Sequence, residues 1–206
     1  MANKQKIFIF SLLLLVSCHS VYYPGTNNIS LLSSRYNGNI SFNAGKNGFL
    51  LQNAFSPLNN LGIQTNFIYL SRVKNNISYG TKYGEFSLGY YNKFNSYNWE
   101  IYSGYGRGIN TDNQDTAKIR KVFVQPQIGW QNDFFRLGVS SKISIITLKA
   151  GNIYRMPAFE PSFLLSMGYK HIFFNMQPGI SFIPIHSFPD MKTIYFSISL
   201  GVNFKF

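Results

Sequence analysis

The chain has 206 residues and a formal net charge of +12, a length that leaves room for one domain. Charged residues make up 13% of it and aromatic residues 17%, where about a quarter charged is usual for a soluble domain. Glycine recurs throughout, and no apolar run reaches the ~20 residues that a spanning helix needs, which argues against a transmembrane helix.

Residues 1–17 read as a lipoprotein signal peptide. Lys4 and Lys6 form a basic n-region, Ile7 to Val16 a short apolar h-region, and Leu15-Val16-Ser17-Cys18 matches the bacterial lipobox pattern at each of its positions. Cys18 is the only cysteine, and capture of its thiol by diacylglycerol removes what would be an oxidation liability in an exported protein. The expectation is lipidation at Cys18, then a periplasmic tether over 18–37 and a barrel over 38–206. An ordinary signal peptide with an incidental cysteine is the alternative.

From residue 38 onward, apolar and polar residues alternate at period two. This predicts strands near 38–45, 48–56, 61–70, 84–94, 97–107, 121–131, 134–146, 158–169, 172–183 and 193–206. The last is the clearest. Ile194, Phe196, Ile198, Leu200, Val202, Phe204 and Phe206 fall on one face, opposite Tyr195, Ser197, Ser199, Gly201, Asn203 and Lys205. In a soluble sandwich the polar faces would carry many charges, but here they are mostly Gly, Ser, Asn and Gln, which suit a narrow hydrated lumen with the apolar face turned to lipid. The predicted class is all-β, an antiparallel up-and-down transmembrane barrel of about ten strands, with eight strands or a soluble sandwich as alternatives.

The connections alternate between short (57–60, 95–96, 132–133, 170–171) and longer (71–83, 108–120, 147–157, with 184–192 intermediate). Short periplasmic turns and long extracellular loops are the rule for outer-membrane barrels. Both ends of the chain are therefore expected on the periplasmic side of a bacterial outer membrane. Trp99, Trp130, Phe135, Tyr169 and Phe204 fall near the short turns on the lipid-facing register, as an interfacial aromatic belt. Pro126, Pro161 and Pro178 are expected to mark bulges or strained pairs.

The chain resembles the small outer-membrane β-barrel proteins, and more closely a group of lipoprotein-attached barrels. The resemblance rests on Tyr22-Tyr23-Pro24, the run from Gly48 to Pro57, Gly89 to Phe94, Tyr102 to Gly106, Val124 to Gly129 and the terminal Phe206. These motifs are architectural, so the resemblance implies location and fold and carries no catalytic signature.

All three glutamates, Glu85, Glu100 and Glu160, lie on lumen register, as do Arg136, Lys142 and Lys205. Acids and bases balanced in a narrow lumen favour a plugged barrel, since an unpaired charge facing lipid at mid-depth costs ~2–4 kcal/mol. Much of the remaining basic charge, including Arg72, Lys74, Arg120, Lys121 and Arg155, falls in or beside the long connections. A cationic outer rim there could contact the phosphates of lipopolysaccharide, or be merely solvated. Nucleic acid is excluded as a partner of an exported barrel.

Of the three histidines, His19 follows the cysteine and His171 sits in a short turn. His186-Ser187 lies near Asp190 in the last loop, but adjacency in sequence does not deliver triad geometry. Clustered metal ligands and glycine-rich phosphate loops are absent from the sequence, so no metal or cofactor is expected. The expectation is a non-enzymatic surface scaffold or binding barrel, with a small-solute pore and a lipid-modifying enzyme as alternatives.

Overall fold

A computed structural model of the protein describes residues 25–45, 48–74, 77–112, 115–184 and 194–206. The expected signal peptide, Cys18, His19 and the group His186, Ser187 and Asp190 lie outside the described residues. Ten strands form one sheet: β1 (Gly38–Gly45), β2 (Gly48–Leu58), β3 (Leu61–Lys74), β4 (Ile77–Phe94), β5 (Tyr97–Asp112), β6 (Asp115–Gln131), β7 (Phe135–Ala150), β8 (Asn152–Tyr169), β9 (Ile172–Phe182) and β10 (Ile194–Lys205). The sheet is antiparallel and closes on itself, β1 pairing with β10 from Asn39 opposite Lys205 to Gly45 opposite Ser199. Closure at ten strands removes every sheet edge, and with it the eight-stranded and sandwich alternatives.

The period-two pattern becomes two faces of one wall. Along β7, outward and buried side chains alternate from Phe135 to Leu148. Outward positions are apolar over a band that starts at the short turns, where Tyr97, Trp99, Phe135, Tyr169 and Phe204 are exposed and Trp130 half-buried. In β6 the outward apolar run from Val122 to Trp130 measures about 27 Å along the strand at ~3.4 Å per residue, or roughly 20 Å across the bilayer at a ~40° tilt. That height suits an outer-membrane hydrocarbon layer.

The long connections prove to be mostly strand. β4 begins at Ile77, β6 at Asp115 and β8 at Asn152, and β7 reaches Ala150. Gly151 alone, with φ +71°, joins β7 to β8. Regular pairing continues beyond the apolar band because backbone groups standing above the bilayer are still satisfied best by the ladder. The two ends of the barrel therefore differ in strand overhang, the longer ribbons rising from the end called the loop end below. At the opposite, turn end, two-residue links place Asn60 and Asn95 at φ 64° and 54°, a region asparagine tolerates better than most residues.

The prolines also behave differently from expectation. Ladder pairs are missing around Pro126, Pro161 and Pro178, yet the register is unchanged on either side of each gap. Among the described residues the one register shift lies between Phe55 and Leu58, across Pro57, where a missing N–H next to a turn is absorbed by a bulge.

The largest difference concerns the N-terminal segment. Residues 25–32, expected as part of a tether outside the barrel, run inside it, and Thr26 to Leu32 are all buried. Two wall glycines make the room: a Cβ on Gly129 would come within 2.4 Å of Leu31, and one on Gly138 within 2.6 Å of Ile29. Ile29 and Leu31 pack with Leu164, and Leu32 packs with Ala54 and Tyr91. Each aliphatic side chain so buried contributes on the order of 1.5–3 kcal/mol, which favours docking of the segment over leaving it in water.

Candidate functional site

Three layers fill the lumen. Nearest the turn end, the N-terminal segment is held through its backbone by wall side chains. Glu100 accepts hydrogen bonds from Ser30 Oγ (2.6 Å), the Leu32 amide (2.5 Å) and Gln127 Nε2 (2.5 Å). Arg136 donates to the Ser30 carbonyl (2.6 Å) and to Asn203 Oδ1 (2.9 Å), with its guanidinium over the Phe173 ring. Gln64 and Gln125 both donate to the Asn28 carbonyl, and Gln131 donates to that of Leu31. The amide-rich lumen face thus replaces the water that the backbone of an extended segment would otherwise require.

The middle layer is ionic. Lys142 Nζ lies 2.7 Å from Glu85 Oε2, Lys121 Nζ lies 3.6 Å from Glu85 Oε1, and Lys121 also bridges to Glu160. All four side chains are buried. The expected lumen charges Glu85, Glu100, Arg136, Lys142 and Glu160 are thus inside, and Lys205 is half-buried at the turn end, donating to Gln131 Oε1 (3.2 Å). Their pairing is not a simple balance of acids against bases, because Glu100 and Arg136 are engaged chiefly by the N-terminal segment.

Lys121 is a correction. Expected on the basic rim, it faces the lumen with 2% exposure. The signal was available in its parity: Lys121 falls in step with Phe123, Gln125 and Gln127, all of them buried. A β6 starting at Lys121 puts this residue on the rim, whereas the strand begins at Asp115 and carries Lys121 well inside the wall.

The layer nearest the loop end is apolar. Leu50, Ile68, Tyr83, Ile119, Ile146, Leu148, Met156, Ala158 and Ile183 form one buried cluster that caps the lumen. This layer departs from the small polar inner face expected along the whole lumen. Tyr83, Ile119, Leu148 and Met156 fall in stretches expected to be loops, and Leu50, Ile68, Ile146, Ala158 and Ile183 are inward positions within expected strands.

On the outer wall, the apolar band ends in basic residues. Lys82, Arg107, Arg120 and Arg155 are exposed, as are Lys118 and Lys149. Arg107 sits directly opposite Arg120, and Lys118 directly opposite Lys149. Thr147 stands between Arg120 and Arg155 in the same row. Of the acids whose side chains are described, Glu85, Glu100 and Glu160 face the lumen and Asp133 lies at the turn end. The side chains of Arg72 and Lys74, at the loop end of β3, lie outside the described set. Below Lys82 and Arg107, an open groove of about 500 Å³ runs along the wall between Phe49, Leu51, Phe67 and Tyr69.

Among the described residues no three His, Cys, Asp or Glu side chains are grouped to hold a metal ion. His171 is exposed at the turn end, with Nδ1 2.9 Å from the Lys205 carbonyl.

No protein-family model matches the chain, and no curated protein matches it. Solved structures do. The outer membrane protease OmpT from Escherichia coli is similar over 91% of this chain and 100% of its own, at 8% identity and a TM-score of 0.52. The translocator domain of the autotransporter NalP from Neisseria meningitidis is similar over 100% of this chain and 96% of its own, at 9% identity and a TM-score of 0.46. The first likeness shows the fold, that of a bacterial outer-membrane barrel. It also corrects the expectation that the chain is not an enzyme, because the barrel that shares this architecture is a protease.

Proposed function

We propose that this protein is an outer-membrane barrel whose outer wall binds phosphorylated lipid of the outer leaflet, lipopolysaccharide in particular, with an acyl anchor at Cys18 as the lipobox pattern suggests. The observation that carries the reading is the double opposition of like charges, Arg107 to Arg120 and Lys118 to Lys149, on the lipid-facing side of the wall. Like charges directly across a ladder are destabilising, and none of the acids whose side chains are described lies on that face of the wall: Glu85, Glu100 and Glu160 face the lumen and Asp133 lies at the turn end. Anionic groups supplied by the membrane relieve that repulsion, and guanidinium pairs match phosphate geometry. The height also fits, since the basic rows begin where the outward apolar run of β6 ends, next to Val122. The groove beneath Lys82 and Arg107 gives acyl chains an apolar wall under the phosphate contacts. The pore alternative loses its basis, because the lumen is filled by the N-terminal segment, the ionic layer and the apolar cap.

The test replaces Lys82, Arg107, Arg120 and Arg155 together with Gln. None faces the lumen, so the refolded variant is expected to keep heat-dependent mobility in SDS gels. Four exposed contacts at roughly 0.2–1 kcal/mol each predict association with phosphorylated lipid A weaker by about fourfold to several hundredfold. Wild-type binding is expected to fall with salt, since exposed charges are screened within about 10 Å at 0.1 M. Retention unchanged by the substitutions and insensitive to salt would overturn the reading.

A further inference from the structure

The direction of the N-terminal segment carries a topological consequence. From Asn37 the chain leads back into the lumen at the turn end, where Tyr36 N donates to the Ser56 carbonyl and Arg35 Nε to that of Pro57. Leu32 lies beside Asn98 near the start of β5, and Ser30 beside Glu100 and Tyr102. Further up the barrel, Asn28 meets Gln64 and Gln125, and Asn27 donates to Ser140 Oγ (2.8 Å). Thr26 reaches Gln177 and Ser199, and a Cβ on Gly25 would come within 2.5 Å of Ile68 in the apolar cap. Read in chain order, the protein passes down through its own barrel, from the loop end at Gly25 to the turn end at Asn37, before β1 begins.

We propose that the chain preceding Gly25 issues from the loop end, so that Cys18 and the residues after it lie on the outer side of the membrane, opposite to the turns. Two physical limits support this. Six residues lie between Cys18 and Gly25, so the two are at most about 25 Å apart along the chain. A return toward the turn end would have to cross either a lumen already occupied by residues 26–32 or a sheet with no edge. Gly25 and Thr26 line a small cavity of about 20 Å³ together with Gly45 and Gly48, at the loop-end limits of β1 and β2, and with Ser197 and Ser199 of β10. There β1 and β2 are only 8 and 11 residues long while β3 and β4 run to 14 and 18. The wall is lowest at the point where the chain leaves, and an acyl group on Cys18 is then within reach of the outer leaflet. This inference revises the expectation that both ends of the chain are periplasmic, since the C-terminal Phe206 is bonded to Gly38 at the turn end. It does not depend on the lipid-phosphate reading.

Three single-cysteine reporters test it in the full-length protein in intact cells, using a membrane-impermeant maleimide. Tyr23→Cys reports the segment, Asn152→Cys the loop end and Asp133→Cys the turn end. Cys18 is changed to Ser in a parallel set, so that its own thiol cannot contribute to the signal. The expected result is that Tyr23→Cys labels together with Asn152→Cys in intact cells, while Asp133→Cys labels at least tenfold less until the outer membrane is permeabilised. An epitope inserted after Pro24 and probed with antibody on intact cells gives a second readout if the thiol at 23 is shielded. Labelling of Tyr23→Cys that follows Asp133→Cys, or an epitope detected only after permeabilisation, would overturn the proposal. Loss of lipid binding in the Gln variant above with this labelling pattern intact would separate the two ideas.

Discussion

Neutralising Glu85 is the sharpest test of the ionic layer. Both of its carboxylate oxygens face ammonium groups, Lys142 at 2.7 Å and Lys121 at 3.6 Å. At an effective dielectric of ~20 these distances correspond to gross attractions of about 6 and 5 kcal/mol, most of it offset by the cost of taking the charges out of water. Glu85→Gln keeps the shape but leaves two buried lysines sharing Glu160, a loss expected at about 3–5 kcal/mol. Lys142→Met alone leaves two glutamates on Lys121 and is expected to cost a similar amount. The double variant Glu85→Gln/Lys142→Met keeps the neutral Lys121–Glu160 pair and is expected to cost no more than either single change, a coupling of about 3 kcal/mol. Urea unfolding in detergent micelles, followed by fluorescence of Trp99 and Trp130, measures all three. Single changes costing under about 1 kcal/mol, or a double equal to the sum of the singles, would refute the argument that these four side chains act as one unit.

On β7, Val139 faces lipid and is half exposed while Ser140 is buried and accepts from Asn27. Val139→Arg is expected to cost about 2–4 kcal/mol at mid-membrane depth. From parity alone Ser140→Arg would be the mild change, but with the lumen filled it must displace the N-terminal segment. Both variants are therefore expected to lower the yield of heat-modifiable barrel, and Ser140→Arg alone to expose residues 26–32 to added protease. Normal assembly of Ser140→Arg with the segment still protected would contradict the packing described. In planar bilayers the intact protein is expected to give no steady open-channel current, and stable single-channel steps from the wild type would show that the three layers do not seal the lumen.

The strand count, the closed antiparallel class and the division of residues between lipid and lumen were legible in the chain, because side-chain direction in a strand has period two and each residue carries its environment in its polarity. The same parity placed Glu85, Glu100, Arg136, Lys142 and Glu160 in the lumen. It failed for Lys121 only where the strand was started too late. Strand ends were misjudged because pairing above the bilayer is sustained by backbone hydrogen bonding, which no hydrophobic pattern reports.

What the sequence could not supply was the content of the lumen. Thr26 to Leu32 has no strand alternation and looks like a linker, since its partners Glu100, Arg136, Gln64 and Gln125 lie from 36 to 106 positions away. Those partners meet only once the sheet has closed and its radius is fixed. Residue polarity is local and survives in the one-dimensional chain, whereas the fit of an extended segment into a cylinder depends on strand number, stagger and the glycines that line it. The fold was therefore written in the alternation of side chains, and the plug, with the path of the chain through the barrel, was decided by tertiary structure alone.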